Sequence, residues 1–205
     1  MSMNILYEDK ALIVCQKPAG VLSEGEMPAL LCEQLSLKEC FVVHRLDREV
    51  GGVMVFAKTK KAAAALSKSV QDKTLKKEYL ATVEGEVTPE KGEMRDLLFR
   101  DAKKNKSFVV KRERKGVREA VLDYEVLESR EIDNGMASLV KIHLHTGRTP
   151  QIRVQFSSRK HPLVGDSRYG SRIKHDIMLW SHRLIFPHPD TGEEMEFSLD
   201  APWRA

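Results

Sequence analysis

Short apolar runs recur along the whole chain, and only one long stretch has clear helical spacing. Lys60–Asp72 is alanine-rich and sets Ala63, Leu66 and Val70 on one face of a helix. Ser138–His145 behaves differently: Val140, Ile142 and Leu144 alternate with Lys141, His143 and His145, the period of a strand with one buried face. Strands are also predicted at Ile5–Tyr7, Leu12–Val14, Phe41–Val43, Val53–Ala57, Lys77–Val87, Phe108–Val110, Val121–Leu127, Met178–Phe186 and Glu194–Leu199. Two shorter helices complete the pattern. One is Pro28–Leu37, and the other begins at Pro150 with Thr149 as its cap and buries Ile152 and Phe156. Many strands, few helices and no βαβ rhythm predict an α+β fold, a mixed, largely antiparallel sheet with a few flanking helices. No Pro/Gly/Ser-rich linker interrupts the 205 residues, so one domain over 1–205 is expected.

Several function classes are disfavoured. Three cysteines, Cys15, Cys32 and Cys40, are odd in number and lack CxxC spacing, which argues against a disulfide framework or a zinc ribbon. The longest apolar runs, Ala11–Cys15 and Ala62–Leu66, fall far short of the roughly 18 residues a membrane span needs. The N-terminal MSMNILYEDK has neither the basic start nor the apolar core of a secretory signal, so a cytoplasmic protein is expected. The net charge of +4 hides a strong asymmetry: Arg100–Arg118 holds nine basic residues against Asp101 and Glu113. Such a run is either a solvated hairpin or an arm for a polyanion, whose condensed counterions clustered Lys and Arg release.

Three segments could carry chemistry. In His44-Arg45-Leu46-Asp47-Arg48-Glu49-Val50-Gly51-Gly52, an Asp lies between two Arg, whose charges favour its ionised form. The paired glycines admit a close approach by substrate or backbone. Taken alone, this stretch would be an ordinary ion pair in a turn. In Thr146-Gly147-Arg148-Thr149-Pro150-Gln151-Ile152-Arg153, two Arg bracket a helix start, where backbone N–H groups favour anions. His161–Gly170 is turn-rich, and its default reading is structural. His143 and His145 share a strand face, but no third residue has metal-ligand spacing.

In this order and at these separations, the segments resemble the RluA-type RNA pseudouridine synthases. The matching residues are E-D-x-x-L-x-V-x-x-K-P-x-G at Glu8–Gly20, H-R-L-D at His44–Asp47 and K-x-Y-x-A-x-V-x-G at Lys77–Gly85. They continue with T-G-R-T-x-Q-I-R at Thr146–Arg153, H-P-L-x-G-D at His161–Asp166 and Tyr169-Gly170. The chain departs from the family pattern in three places: Val50-Gly51 stands for Thr-Ser, Pro150 for His, and Lys160 for Gly.

The resemblance implies a pseudouridine synthase-like catalytic domain with a central RNA-binding cleft and no separate N-terminal RNA-binding domain. It implies isomerisation of uridine to pseudouridine in structured RNA, ribosomal or transfer, with no cofactor, nucleotide or metal. Asp47 would act as nucleophile towards the ribose or as base for a ribose proton. Arg153 would pair with Asp47, and Tyr79 would stack on the uracil. The target uridine must leave its stack, and Arg45 would fill the gap. His44, Arg148 and the basic arm (Lys103, Lys104, Lys106, Lys111, Arg112, Arg114 and Lys115) would contact RNA. A monomer is expected, since no unclaimed apolar stripe stands out. The alternative is a non-catalytic RNA-binding or RNA-folding factor on the same scaffold, motivated by Val50-Gly51. A glycosidase acting on small nucleosides is disfavoured, because it has no use for a basic arm and needs a second carboxylate.

Overall fold

A continuous apolar run, Gly51–Ala57, forms strand β4, and every residue of it is buried. Such a strand has neighbours on both sides, and in the computed structural model it does. The structure describes residues 2–132 and 135–204 and falls into two compact units, Met1–Glu78 with Trp180–Ala205, and Tyr79–Leu179.

In the first unit, β1 (Ile5–Glu8) and β2 (Leu12–Lys17) form an antiparallel hairpin whose second strand lies antiparallel along β4. Helix α1 (Glu26–Leu35) follows β2, and the two-residue strand β3 (Phe41–Val42) pairs with the Ala57 end of β4. Helix α2 (Lys60–Gln71) starts at Thr59, whose hydroxyl accepts the Ala62 amide at 3.1 Å, and it buries Ala62 and Leu66. Those two side chains pack with Leu12, Val14, Val53, Val55, Leu184 and Phe186 into the core of the unit. β10 (Leu179–Pro187) is parallel to β4 at Trp180 and Ser181, and β11 (Glu194–Ser198) closes the unit antiparallel to β10.

The second unit holds the strand order β5-β9-β8-β6-β7. These strands are β5 (Lys76–Glu84, which enters from the first unit), β6 (Lys91–Asp101), β7 (Lys106–Val110), β8 (Val117–Ile132) and β9 (Gly135–Leu144). β9, β8, β6 and β7 are successively antiparallel. Val140 and Ile142 are fully buried, as their alternation predicts. Helix α3 (Gln151–Ser158) packs Val154 against Leu98 and Ala120, and Gln155 donates its amide to the Met94 carbonyl at 3.2 Å and Asp96 at 2.7 Å. The α+β class and the mixed, largely antiparallel sheet agree with the sequence pattern.

Two local expectations are corrected. β6 is missing from the sequence reading, because KGEMRDLLFRD breaks strict alternation at Leu97-Leu98 and exposes Lys91, Glu93 and Arg95. α3 begins at Gln151, with no side-chain cap from Thr149. Pro150 has ψ 80°, outside the helical range, and it occupies the cap position. The Gln151 side chain anchors the start instead, accepting from the Thr146 hydroxyl at 2.7 Å and the Arg148 amide at 3.2 Å, and donating to the Val121 carbonyl at 3.1 Å.

The paired glycines serve the sheet. At Gly52 (φ +124°) a Cβ would overlap the Ser181 backbone, and at Gly51 it would enter the Trp180 ring. Gly20 (φ +87°) has open space around it and tests conformational strain alone. Gly52→Ala is expected to cost more than about 2 kcal/mol, since strain and backbone overlap add. Gly20→Ala should cost roughly 1 kcal/mol. Thermal unfolding followed by circular dichroism should therefore show the larger drop in Tm for Gly52→Ala. Equal drops would show that the strand pair yields without penalty.

Candidate active site

The stretch His44–Val50 connects β3 to β4, and its backbone is clamped by the segment after β2. Lys17 is fully buried, and its Nζ donates to the carbonyls of Pro18 (2.8 Å), Val21 (2.6 Å) and Arg48 (3.1 Å). Three carbonyls consume the three donors of an ammonium, which makes this burial tolerable. Burial pushes the group down to about 8, against the opposing pull of Glu49, Asp47 and Glu26. Ser23 reinforces the clamp. Its hydroxyl donates to the Leu46 carbonyl at 2.9 Å and accepts the Leu46 amide at 3.0 Å. The Gly20 amide donates to the Arg48 carbonyl, and Arg48 Nε donates to the Gly20 carbonyl, both at 2.8 Å. The K-P-x-G and H-R-L-D motifs, 27 residues apart at Lys17 and His44, thus form one structure.

Asp47 lies at the turn of this clamped loop, half-buried, and its carbonyl accepts the Val50 amide at 3.1 Å. Its side chain is therefore carried on backbone held at Leu46 and at Arg48. Arg45 is exposed and donates to Glu24 at 3.1 Å. His44 departs from its expected place among RNA contacts. It is buried, and its Nε2 accepts the Val55 amide at 3.2 Å. Burial and the nearby Lys77 charge keep the imidazole neutral. The proton then resides on Nδ1, which has no hydrogen-bond partner among the described residues. The ring supports β4 from beneath the loop and presents no face to a ligand.

In the second unit Tyr79 is buried on β5, and Arg153 projects from α3. Arg153 Nε and Nη2 donate to the two carboxylate oxygens of Asp166 at 2.7 and 2.8 Å, with 11% and 1% of the two side chains exposed. This fork fixes the guanidinium plane. Asp166 also accepts the Tyr169 amide at 3.3 Å, and the Tyr169 ring lies 5.2 Å from the Arg153 guanidinium carbon. The His161–Gly170 segment, read from sequence as structural, therefore supplies the support of Arg153. Sequence reasoning missed Asp166 as a site residue. The available signal was a carboxylate set directly after the apolar Leu163-Val164 and Gly165.

The remaining candidates sort by position. Lys103, Lys104 and Lys106 sit at the tip of the β6–β7 hairpin, and Lys111, Arg112, Arg114 and Lys115 follow on the loop to β8. Arg148 is exposed before α3 and donates Nε to the Glu119 carbonyl at 3.1 Å. His145 pairs with Asp123 at 2.6 Å, 5.1 Å from the His143 ring. Among the described residues no group of His, Cys, Asp and Glu is arranged to hold a metal ion, and no helix is long and apolar enough to cross a membrane.

A carboxylate on a clamped loop, together with a forked arginine, a strand tyrosine and a basic hairpin, occupies the positions of the ordered motifs. The family model described as RNA pseudouridylate synthase matches residues 11–158. The chain belongs to this family.

An uncharacterized RNA pseudouridine synthase of Aquifex aeolicus (strain VF5) is 34% identical, covering 98% of this chain and 70% of its own length. The ribosomal large subunit pseudouridine synthase D of Neisseria meningitidis serogroup A is 35% identical over 98% of this chain and 59% of its own. The chain thus spans between 59% and 70% of the length of these two relatives. The structure called human RNA pseudouridylate synthase domain containing 1 superposes with a TM-score of 0.85 at 24% identity, covering 98% of this chain and 84% of that one. That likeness establishes a shared fold.

Proposed function

We propose that the chain converts uridine to pseudouridine in structured RNA, ribosomal or transfer, as a cytoplasmic monomer that requires no cofactor. The observation that carries this reading is the family match over residues 11–158, which spans Asp47, Tyr79 and Arg153 together. In this reading Asp47 is the carboxylate that attacks the ribose or removes a ribose proton, and Arg153 is its counter-ion. Asp166, by fixing the Arg153 fork, holds that counter-ion in orientation. Tyr79 stacks on the uracil while the base turns.

The chemistry balances within one nucleotide. The N1–C1′ bond breaks, the C5–C1′ bond forms, C5 gives up its proton to solvent, and N1 gains one. No oxidant, reductant or transferred group is needed. Arg45 fills the gap left by the extruded base. Leaving Glu24 costs it little, because exposed ion pairs contribute about 0–1 kcal/mol. Arg148 and the basic arm grip phosphates.

The alternative, an RNA-binding factor without turnover, was motivated by Val50-Gly51 in place of Thr-Ser. The Trp180 ring offers a packing reason for Gly51, since it occupies the space a side chain would need. Incubation with RNA carrying 5-tritiated uridine, unmodified ribosomal and transfer RNA being assayed separately, is expected to release tritium into water. Tight RNA binding with no release from either substrate would establish the binding-factor reading.

A further inference from the structure

The β6–β7 hairpin carries an aromatic pair that the core of its own unit does not use. Leu98 and Val109 face inward, packed with Ala120, Val154 and Tyr169. Period two turns their neighbours Phe99 and Phe108 to the opposite face, where they lie directly across from each other in the strand register. Phe108 is 37% exposed, one of few large apolar residues left so open among those described.

Cations surround this pair. The Lys104 and Lys106 ammonium groups each lie 5.9 Å from the Phe108 ring centroid, and the Arg114 guanidinium lies 4.3 Å from that of Phe99. The hairpin is also internally braced. The Asp101 carboxylate accepts the Lys103 and Lys104 amides at 2.9 and 3.1 Å, and Arg100 donates to the Asn105 side chain at 3.0 Å. Across the unit, the Ser107 amide donates to the Tyr169 hydroxyl at 3.0 Å.

A pure phosphate grip needs cations and has no use for exposed phenyl rings, which are favoured in the core. An exposed Phe108 ring beside a half-buried Phe99, flanked by Lys and Arg on a braced sheet surface, is instead suited to unpaired nucleotides: a base offers its face to the open ring, and its phosphates meet the cations. We propose that the Phe99–Phe108 face is a stacking platform for unpaired RNA bases outside the reaction centre. Phe108 takes the base, and Lys104, Lys106 and Arg114 take the adjoining phosphates. The proposal rests on the RNA-modifying reading above, and it assigns that RNA a single-stranded segment in addition to the target uridine.

The test uses the full chain with a fluorescein-labelled single-stranded oligouridylate and, separately, a fully paired RNA duplex of the same length. Phe108→Ala is expected to weaken single-strand binding about 5- to 100-fold, with an unchanged slope of log K against log salt and unchanged duplex binding. Lys104→Ala should lower that slope by about 0.7, the single-strand value per phosphate contact. Phe108→Trp should restore affinity and show tryptophan quenching on RNA addition, a signal that a merely structural ring would not produce. If wild type binds the oligouridylate and Phe108→Ala or Phe108→Leu binds it equally well, the platform is overturned while the RNA reading stands. If wild type binds neither RNA and releases no tritium, the functional reading itself fails.

Discussion

Asp47→Asn is expected to abolish tritium release from 5-tritiated RNA, a loss of at least about 10³-fold, with RNA affinity kept within about twofold. The substitution is isosteric and leaves the loop intact. Val50 bonds to the residue-47 carbonyl, Lys17 and Gly20 bond to the Arg48 carbonyl, and Ser23 bonds to the Leu46 backbone, so these restraints on the turn remain when residue 47 carries an amide. What the amide lacks is the negative oxygen that could attack a sugar carbon or remove a ribose proton. The binding measurement separates this outcome from a folding defect. Turnover by Asp47→Asn at the wild-type rate would transfer the essential role to another group.

Asp166→Ala is expected to be the most destabilising of the site substitutions. Asp166 is 1% exposed and accepts two bonds from a guanidinium that is itself 11% exposed. Removing one partner of such a pair costs about 3–5 kcal/mol. At roughly 2–4 °C per kcal/mol for a chain of this size, Tm should fall by about 6–20 °C. Asp166→Asn keeps the volume and one acceptor oxygen and should stay folded. It is then expected to lower kcat with little change in KM, because a loosened Arg153 fork misplaces the counter-ion without touching the RNA. Wild-type Tm in Asp166→Ala would show that the fork contributes nothing to the fold. Wild-type kcat in Asp166→Asn would separate Arg153 orientation from catalysis.

The contrast between these two aspartates shows how legibility in the sequence works. Asp47 is conspicuous because its setting is local, with Arg on both sides and glycines following. Asp166 makes the better-defined ion pair, yet its partner lies 13 residues earlier, beyond the turn that follows α3. Lys17 enters the sequence pattern only within the K-P-x-G motif, although its ammonium is buried among three carbonyls, one of them 31 residues away. His44 reads as a polar residue of the loop and is instead a buried support of β4.

Periodic spacing and turn chemistry depend on near neighbours along the chain, so the alternation of Val140 and Ile142, the apolar run Val53–Ala57, the alanine-rich helix over Lys60–Asp72 and the ordered motifs were all set by the amino-acid order alone. Which donor meets which acceptor depends on distances that only chain folding creates. The Arg153–Asp166 fork, the Lys17 cradle, the inward turn of His44 and the outward turn of Phe108 were therefore decided by tertiary structure. The reason is physical: an ionised or polar side chain is buried only where its particular partners converge, and that convergence is a property of space, not of spacing.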